Sequence, residues 1–282
     1  MKVHLSRDIK NIIFRFQDDD VMALAAQLAY SFLLSFFPFL IFLITLVGHS
    51  SISSSEVLYY LSGILPLNAF ELVKSTVAEV VDTRNSNLLS LSLILTIWTS
   101  SSGFKAVIKG LNKAYDQAET RSIIKLELIA LLCTFALTTI IMLTMVLLVL
   151  GELIGNSIAY RVGYSEQFKM VWDIFRYLMI LCSMVFVFAA MYRYTPCTRL
   201  TWSEVFPGSL FSTVGWIIIS VGFSFYVNNF GSYSKIYGSI GVVIVLLTWL
   251  FLTSLIIMLG GEINATLAFD REGKEKPHGK NF

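Results

Sequence analysis

The chain has 282 residues, 56% of them hydrophobic and only 14% charged, and its mean hydropathy is +0.72. Soluble domains carry roughly 25% charged residues, so a water-soluble globule is excluded as the first reading. The net charge of +2 says little by itself; the distribution of charge along the chain carries the information.

The first twenty residues are charged, without an apolar core before a small-residue site, so no cleavable signal peptide is expected and the first span acts as an uncleaved insertion signal. Within this arm Leu5, Ile9, Ile12, Ile13 and Phe16 recur at helical spacing. They predict an amphipathic helix lying on the inner membrane surface or packed on the protein's own cytoplasmic face. Asp18, Asp19 and Asp20 end it.

Charge-free runs then cover Val21–Ser55, Asn85–Phe104, Leu128–Gly151, Tyr177–Tyr192, Val205–Ser234 and Ile236–Gly261. A helix needs about 20 residues to cross the hydrocarbon core. The shorter fourth run has Arg176 and Arg193 at its ends, which can snorkel. The runs do not alternate, so a β-barrel is a poor fit. The predicted fold is all-α: a polytopic membrane protein with six transmembrane helices, near 22–48, 86–106, 128–150, 175–194, 205–227 and 239–262. These form one domain over 22–268, between the arm at 1–21 and a flexible tail at 269–282. Of the 21 Lys and Arg, all but Lys74, Arg84, Arg161, Lys169, Arg176 and Lys235 fall in the arm, the tail and the two loops on the same side. Both termini are therefore expected in the cytoplasm, with the chain in the inner membrane.

In the first span Pro38 lacks an N–H and clashes with the carbonyl of Leu34, so a kink is expected, with Ser31 and Ser35 bonding the freed carbonyls. The outer loop beyond this span carries two capping-box patterns, Ser53 with Glu56 and Asn68 with Glu71, and predicts two short interfacial helices. The second span ends in a small, polar patch, Ser100, Ser101 and Ser102, before Gly103. It reads either as tight helix packing or as the polar wall of a cavity. The helix is expected to continue into the cytoplasm through Tyr115. Two charge pairs match in depth and predict ion pairs, Glu152 with Arg176 outside and Arg193 with Glu262 inside, where Glu262 closes the sixth span. Thr201 and Glu204 form a capping-box pattern at the start of the fifth. The segment "NNFGSYSKIYGSIG", Asn228–Gly241, covers most of the expected outer connection at 227–238 and sets Asn228, Asn229, Ser232, Tyr233 and Tyr237 between apolar spans. It reads as a segment folded into the membrane or as an interfacial turn with belt tyrosines.

The pieces "AAQLAYSFLLSFFPFL", "WTSSSGFKAVIKGLNKAYD", "YRYTP", "FPGSLF" and the long stretch from "FSFYVNNFGSYSKIYGSIG" to "GGEINA" resemble the YihY family, also called the virulence factor BrkB family, of bacterial inner-membrane proteins. The resemblance covers roughly 10–268. It implies six transmembrane helices, and it singles out Pro38, Asn112, Tyr115, Arg193, Pro196, Pro207, Gly208, Asn229, Phe230, Gly231, Tyr233, Tyr237, Gly238, Glu262 and Asn264. Ser102 stands where many relatives have arginine. Members once carried the label ribonuclease BN, generally regarded as misassigned.

The residues argue against a nuclease and against enzymes generally. His4, His49 and His278 lie far apart, without a metal-ligand cluster. Cys133, Cys182 and Cys197 give neither a disulfide framework nor a metal site. No metal, cofactor or nucleic acid is expected. The expected function is transport or translocation of a lipid-like or amphiphilic substrate, with Pro38, Ser100–Ser102, Arg193, Asn228, Asn229, Ser232, Tyr233, Tyr237, Glu262 and Asn264 on its path or gate. The alternative is a non-transporting scaffold of the cell envelope. Expected partners are the bilayer, a phospholipid or other amphiphile, and further copies of the chain.

Overall fold

The computed structural model of the protein describes residues 14–48, 74, 86–136, 139, 166–230 and 240–272. Among the described residues the regular structure is helical throughout. A short helical turn at 14–18 precedes α1, Val21–Gly48; then come α2, Ser86–Ala114, and α3, 123–136. They are followed by α4, Glu166–Tyr194, α5, Trp202–Phe230, and α6, Ile240–Glu272. Three stretches, Met170–Tyr194, Trp202–Val227 and Val243–Arg271, are long and apolar enough to cross a membrane, and a shorter apolar stretch covers Val21–Phe36. Their outer faces are apolar yet exposed: Met170, Ile174, Tyr177, Leu178 and Leu181 on α4, and Leu210, Val214, Ile218 and Val221 on α5. Hydrocarbon is the solvent that makes such a surface stable. The expected interfacial helices of the outer loop lie outside the described residues, as does most of the expected span at 128–150.

Local chemistry sets the helix ends. Helix α2 runs beyond the apolar stretch, as its continuing stripe Phe104, Val107, Ile108 and Leu111 requires, and all four are buried. It stops in a left-handed cap: Asp116 has φ 53°, its N–H donates to the Lys113 carbonyl, and the Gln117 N–H donates to Asn112. Asp20, at φ 52°, turns the chain from the short helix into α1. Helix α5 opens on one half of the expected capping box: the Glu204 carboxylate accepts the Thr201 N–H at 2.7 Å, while the Thr201 hydroxyl donates to the same carboxylate at 2.8 Å and the Glu204 N–H goes to the Thr201 carbonyl.

Two expectations change. Glu262 does not close α6; the helix continues ten residues to Glu272. Reading the span to its first charge ended it too early, because Glu262 is buried beside a cation and does not need water. In α1 the serine hydroxyls do not take the carbonyl freed by Pro38. Ser35 donates to Ser31 and Phe32, and Ser31 to Gln27, all at 3.0 Å. Helical side chains lean towards the N-terminus, so a serine reaches the carbonyl one turn before it and not one ahead.

The chain divides into two compact units. Unit 1 holds Met1–Val21, Ile108–Trp216 and Ile256–Phe282; unit 2 holds Met22–Val107 and Ile217–Leu255. The core of unit 1 is built on Tyr192, Ile108, Leu111, Val205, Glu262 and Asn264, all nearly inaccessible. In unit 2, Leu24, Ala25 and Leu28 of α1 and Phe104 and Val107 of α2 are buried, and α1 meets α2 where the Phe32 ring lies against Gly103. Within it the Trp249 indole N–H reaches the Ser220 hydroxyl at 3.4 Å.

Candidate functional site

In unit 1 the last turns of α4, the first turns of α5 and the second half of α6 meet around a buried polar network. Its geometric basis is a crossing of α5 and α6 at glycine. A Cβ on Gly208 would strike the Gly260 carbonyl oxygen and the Asn264 side chain. A Cβ on Gly260 would strike the Ser212 and Tyr192 hydroxyls. The small residues Gly208, Ser212 and Gly260 let the two backbones approach.

The close approach brings side chains onto the partner helix's backbone. Asn264 accepts the Gly208 N–H at 2.7 Å and donates to the Val205 carbonyl at 3.2 Å. Pro207 interrupts the α5 ladder between those residues, so Asn264 braces the backbone on both sides of the break. The Tyr192 hydroxyl donates to the Ile257 carbonyl at 2.7 Å and lies 2.6 Å from the Ser212 hydroxyl. Each hydroxyl has one proton, and the Ser212 hydroxyl also reaches the Ile256 carbonyl at 3.3 Å, so the two side chains share the backbone carbonyls of Ile256 and Ile257 on α6.

Arg15 reaches this end of the unit from the arm. Its guanidinium is 3.9 Å from the Glu262 carboxylate, and the two side chains are only 5% and 3% exposed. At that separation the contact is electrostatic, without a hydrogen bond. The same nitrogen donates to the Ala114 carbonyl at the end of α2, at 3.4 Å, and the guanidinium stands 4.5 Å from the centre of the Phe269 ring. The Tyr115 phenol is buried with no hydrogen-bond partner among the described residues. Burial first, then the nearby Glu204, Tyr192 and Glu262, push its pKa above the ordinary phenol range.

A second knot ties the loops at this end. Glu119 takes Arg121 through both carboxylate oxygens, at 2.8 and 2.7 Å, and accepts the Asn112 amide at 2.8 Å. Asn112 accepts the Cys197 N–H at 2.7 Å, and Arg121 donates to the Thr195 carbonyl at 3.0 Å. The Arg121 hydrogen bonds hold the Glu119 carboxyl at about 2, well below its ordinary 4.5.

The sequence-predicted residues separate between the two units. Glu262 and Asn264 stand in the buried network. Arg193 belongs to the same unit, but it does not pair with Glu262; its guanidinium lies 4.6 Å from the centre of the Trp202 ring and 5.6 Å from that of Tyr194. Arg15 takes the place expected for it. Pro38, Ser101, Ser102 and Asn229 belong to unit 2. Ser101 is buried, Ser102 donates to the Trp98 carbonyl at 3.4 Å, and Asn229 donates to Phe225 at 2.8 Å. Ser100 and Asn228 lie on helices, with side chains outside the described residues. Ser232, Tyr233, Tyr237 and Glu152 also lie outside them. Arg176 meets Asp173, one turn away, at 3.4 Å. Sequence reasoning missed Arg15, Tyr192 and Ser212. The signal for Ser212 was present, since Gly208 and Ser212 repeat the four-residue spacing of Gly260 and Asn264. Among the described residues no group of three or more His, Cys, Asp or Glu is placed to hold a metal ion.

An all-helical chain with lipid-like outer faces and its charges tied at one end of a unit defines a helical membrane protein. The family model described as Virulence factor BrkB matches residues 12–281, and the chain belongs to that family. It is 40% identical to the protein named ribonuclease-like protein YfkH of Bacillus subtilis strain 168, over 92% of this chain and 94% of that one. It is 27% identical to a UPF0761 membrane protein of Alteromonas mediterranea, over 96% and 92% of the two chains. A UPF0761 membrane protein of Cronobacter sakazakii is 25% identical, over 92% and 88%. No solved structure matches the chain.

Proposed function

We propose that this membrane protein is a translocase of a lipid-like or amphiphilic substrate, crossing the inner membrane six times with both termini in the cytoplasm. The observation that carries the reading is the Arg15–Glu262 pair. Both side chains are almost fully buried, on a chain whose α6 has the length and composition of a membrane span. Charges so placed are costly and mark substrate or ion paths. The pair is 3.9 Å apart, whereas Glu119 and Arg121 stand at 2.7 Å. A contact without a hydrogen bond opens more readily than a bidentate one, and opening is what a path requires. The basic residues Arg15, Lys113, Arg121 and Arg193 gather where α2 and α4 end, which supports one cytoplasmic side.

The test is translocation of headgroup-labelled phospholipid in proteoliposomes, read by quenching from outside. Quenching beyond the outer-leaflet half is expected for the wild type and is lost in Glu262→Gln and Arg193→Ala. Quenching equal to that of empty vesicles removes unaided translocation of that lipid. The second reading, a scaffold, is favoured by the bonding of Tyr192 and Asn264, which ties the crossing helices together. It predicts a stable co-purifying partner and tolerance of both substitutions.

A further inference from the structure

Three arginines of unit 1 make a contrast. Arg15 donates to the Ala114 carbonyl, and Arg121 to Glu119 and Thr195. Arg193 has no hydrogen-bond acceptor or carboxylate partner among the described residues; it meets only the faces of Trp202 and Tyr194. The two rings stand edge to face with centroids 6.1 Å apart, and Phe186 stacks on Trp202 at 5.6 Å. Tyr194 and Trp202 are 57% and 41% exposed. The indole N–H and the phenol also have no protein partner among the described residues. The five guanidinium N–H donors of Arg193, the Trp202 indole N–H and the Tyr194 phenol O–H thus belong to one cluster of contacting side chains, with no protein acceptor among the described residues for any of them.

The position tells what surrounds this cluster. One membrane-length stretch ends at Tyr194, and the next begins at Trp202. The cluster thus stands where two apolar helices leave the hydrocarbon, at the depth of the lipid headgroups. The acceptor supplied in quantity at that depth is the phosphodiester. A planar guanidinium binds phosphate through two parallel N–H donors, and an aromatic face beneath it keeps the plane fixed without consuming a donor. Trp202 and Phe186, both exposed apolar rings, offer a wall for the first acyl carbons below the phosphate.

We propose that Arg193, Trp202 and Tyr194 form a binding site for the phosphate of an anionic phospholipid on the side of unit 1. The site exists whether the chain moves lipids or only sits among them; if it moves them, this is the headgroup's first station. A wild type that retains the lipid but does not move it keeps this site and removes translocation, so the two proposals fail separately.

The experiment is native mass spectrometry of the full chain in detergent with added phosphatidylglycerol, phosphatidylcholine or inorganic phosphate. The wild type is expected to retain phosphatidylglycerol in preference to phosphatidylcholine, whose headgroup carries no net charge. Arg193→Gln is expected to lower phosphatidylglycerol retention about tenfold, the scale of one charge-assisted hydrogen-bonded contact. Trp202→Phe keeps a ring under the guanidinium and removes the indole donor; a smaller loss of roughly two- to threefold is expected there. Unchanged thermal unfolding of Arg193→Gln in lipid-free detergent shows that the loss is one of binding; if that variant does not fold, Trp202→Phe decides. Wild-type retention in the folded variants overturns the proposal. Displacement of the lipid by millimolar inorganic phosphate also overturns it, in favour of a site for the free ion.

Discussion

Units 1 and 2 bury polar side chains of different kinds. In unit 1, among the described residues, they include Arg15, Asp19, Glu262, Asn112 and Asn264; in unit 2 they are all hydroxyls: Ser31, Ser35, Ser101, Thr253 and Ser254. A hydroxyl can satisfy itself on its own helix, as Ser35 and Ser254 do on carbonyls one turn back, at 3.0 and 2.7 Å. The buried amide of Asn264 and the buried charge of Arg15 instead reach across to another element. Unit 1 is therefore specified by long-range polar ties. The described part of unit 2 relies mainly on apolar packing and on helix-local hydroxyl bonds, with the Trp249–Ser220 contact at 3.4 Å as a bond between helices.

The contrast breaks most sharply at Arg15. Arg15→Met leaves the Glu262 carboxylate buried without its cation. Removing one member of a buried pair costs about 3–5 kcal/mol, and detergent-solubilised protein should show it as a lower unfolding temperature. Replacing both partners by Met should recover most of the loss, because an apolar pair of similar volume has no charge to desolvate. A double variant as unstable as the single one would mean that Arg15 acts through Ala114 and Phe269, not through Glu262.

The next effect is steric. Gly260→Ala places a methyl on the Tyr192 and Ser212 hydroxyls, and overpacking of this kind costs about 1–3 kcal/mol, with the Tyr192 bond lost in addition. Loss of folded protein on heating, followed by size exclusion, measures it. Tolerance of the methyl would show that α5 and α6 can separate there, and that unit 1 is looser than its bonding suggests.

A smaller effect is set by pH. Glu119 has a depressed folded-state pKa, so its contribution is fully present above the unfolded value and is lost as pH falls through the folded one. The window runs from 4.5 down to about 2. Glu119 is largely exposed, and solvent screening limits the contribution to under about 1 kcal/mol. Labelling of Cys197 by a neutral maleimide at fixed pH reads the same knot, since Cys197 donates to both Asn112 and Glu119. Glu119→Gln should speed that labelling, and an unchanged rate would mean that Asn112 alone holds the loop.

How much of this could be read beforehand depends on the range of the interactions. The capping box of Thr201 and Glu204 is local, and the sequence pattern is enough to find it. Helices α1, α2 and α5 fall on three of the apolar runs, and α5 carries a stretch long and apolar enough to cross a membrane. Glu262 and Asn264 stood out by their place at the end of a long apolar run. The cation facing Glu262 did not: Arg15 and Arg193 both lie near the same boundary, and depth alone cannot choose between them. The choice is made by where residues 14–20 pack within unit 1; the periodicity of the arm offered packing on the protein's own face but named no partner for Arg15. Tyr192 was hidden for a different reason. A tyrosine near the end of a span looks like a belt residue until the facing Gly260 shows that it points into a helix crossing.

The mildest test lies at the other glycine crossing. In unit 2 a Cβ on Gly103 would stand 3.3 Å from two atoms of the Phe32 ring and 3.8 Å from the Ser31 Cβ. The neighbour is one edge of a half-buried side chain, not a backbone carbonyl, and a small rotation of the ring gives the few tenths of an ångström required. Alanine also gains about 0.5–1 kcal/mol over glycine inside a helix. The two terms oppose each other, so Gly103→Ala should leave the unfolding temperature nearly unchanged where Gly260→Ala lowers it. A large loss at Gly103 would mean that Phe32 cannot turn, and that unit 2 is as tightly specified by apolar packing as unit 1 is by its polar ties. A neutral result would locate the rigidity of this chain in the crossing of α5 and α6, beside the buried Arg15–Glu262 pair.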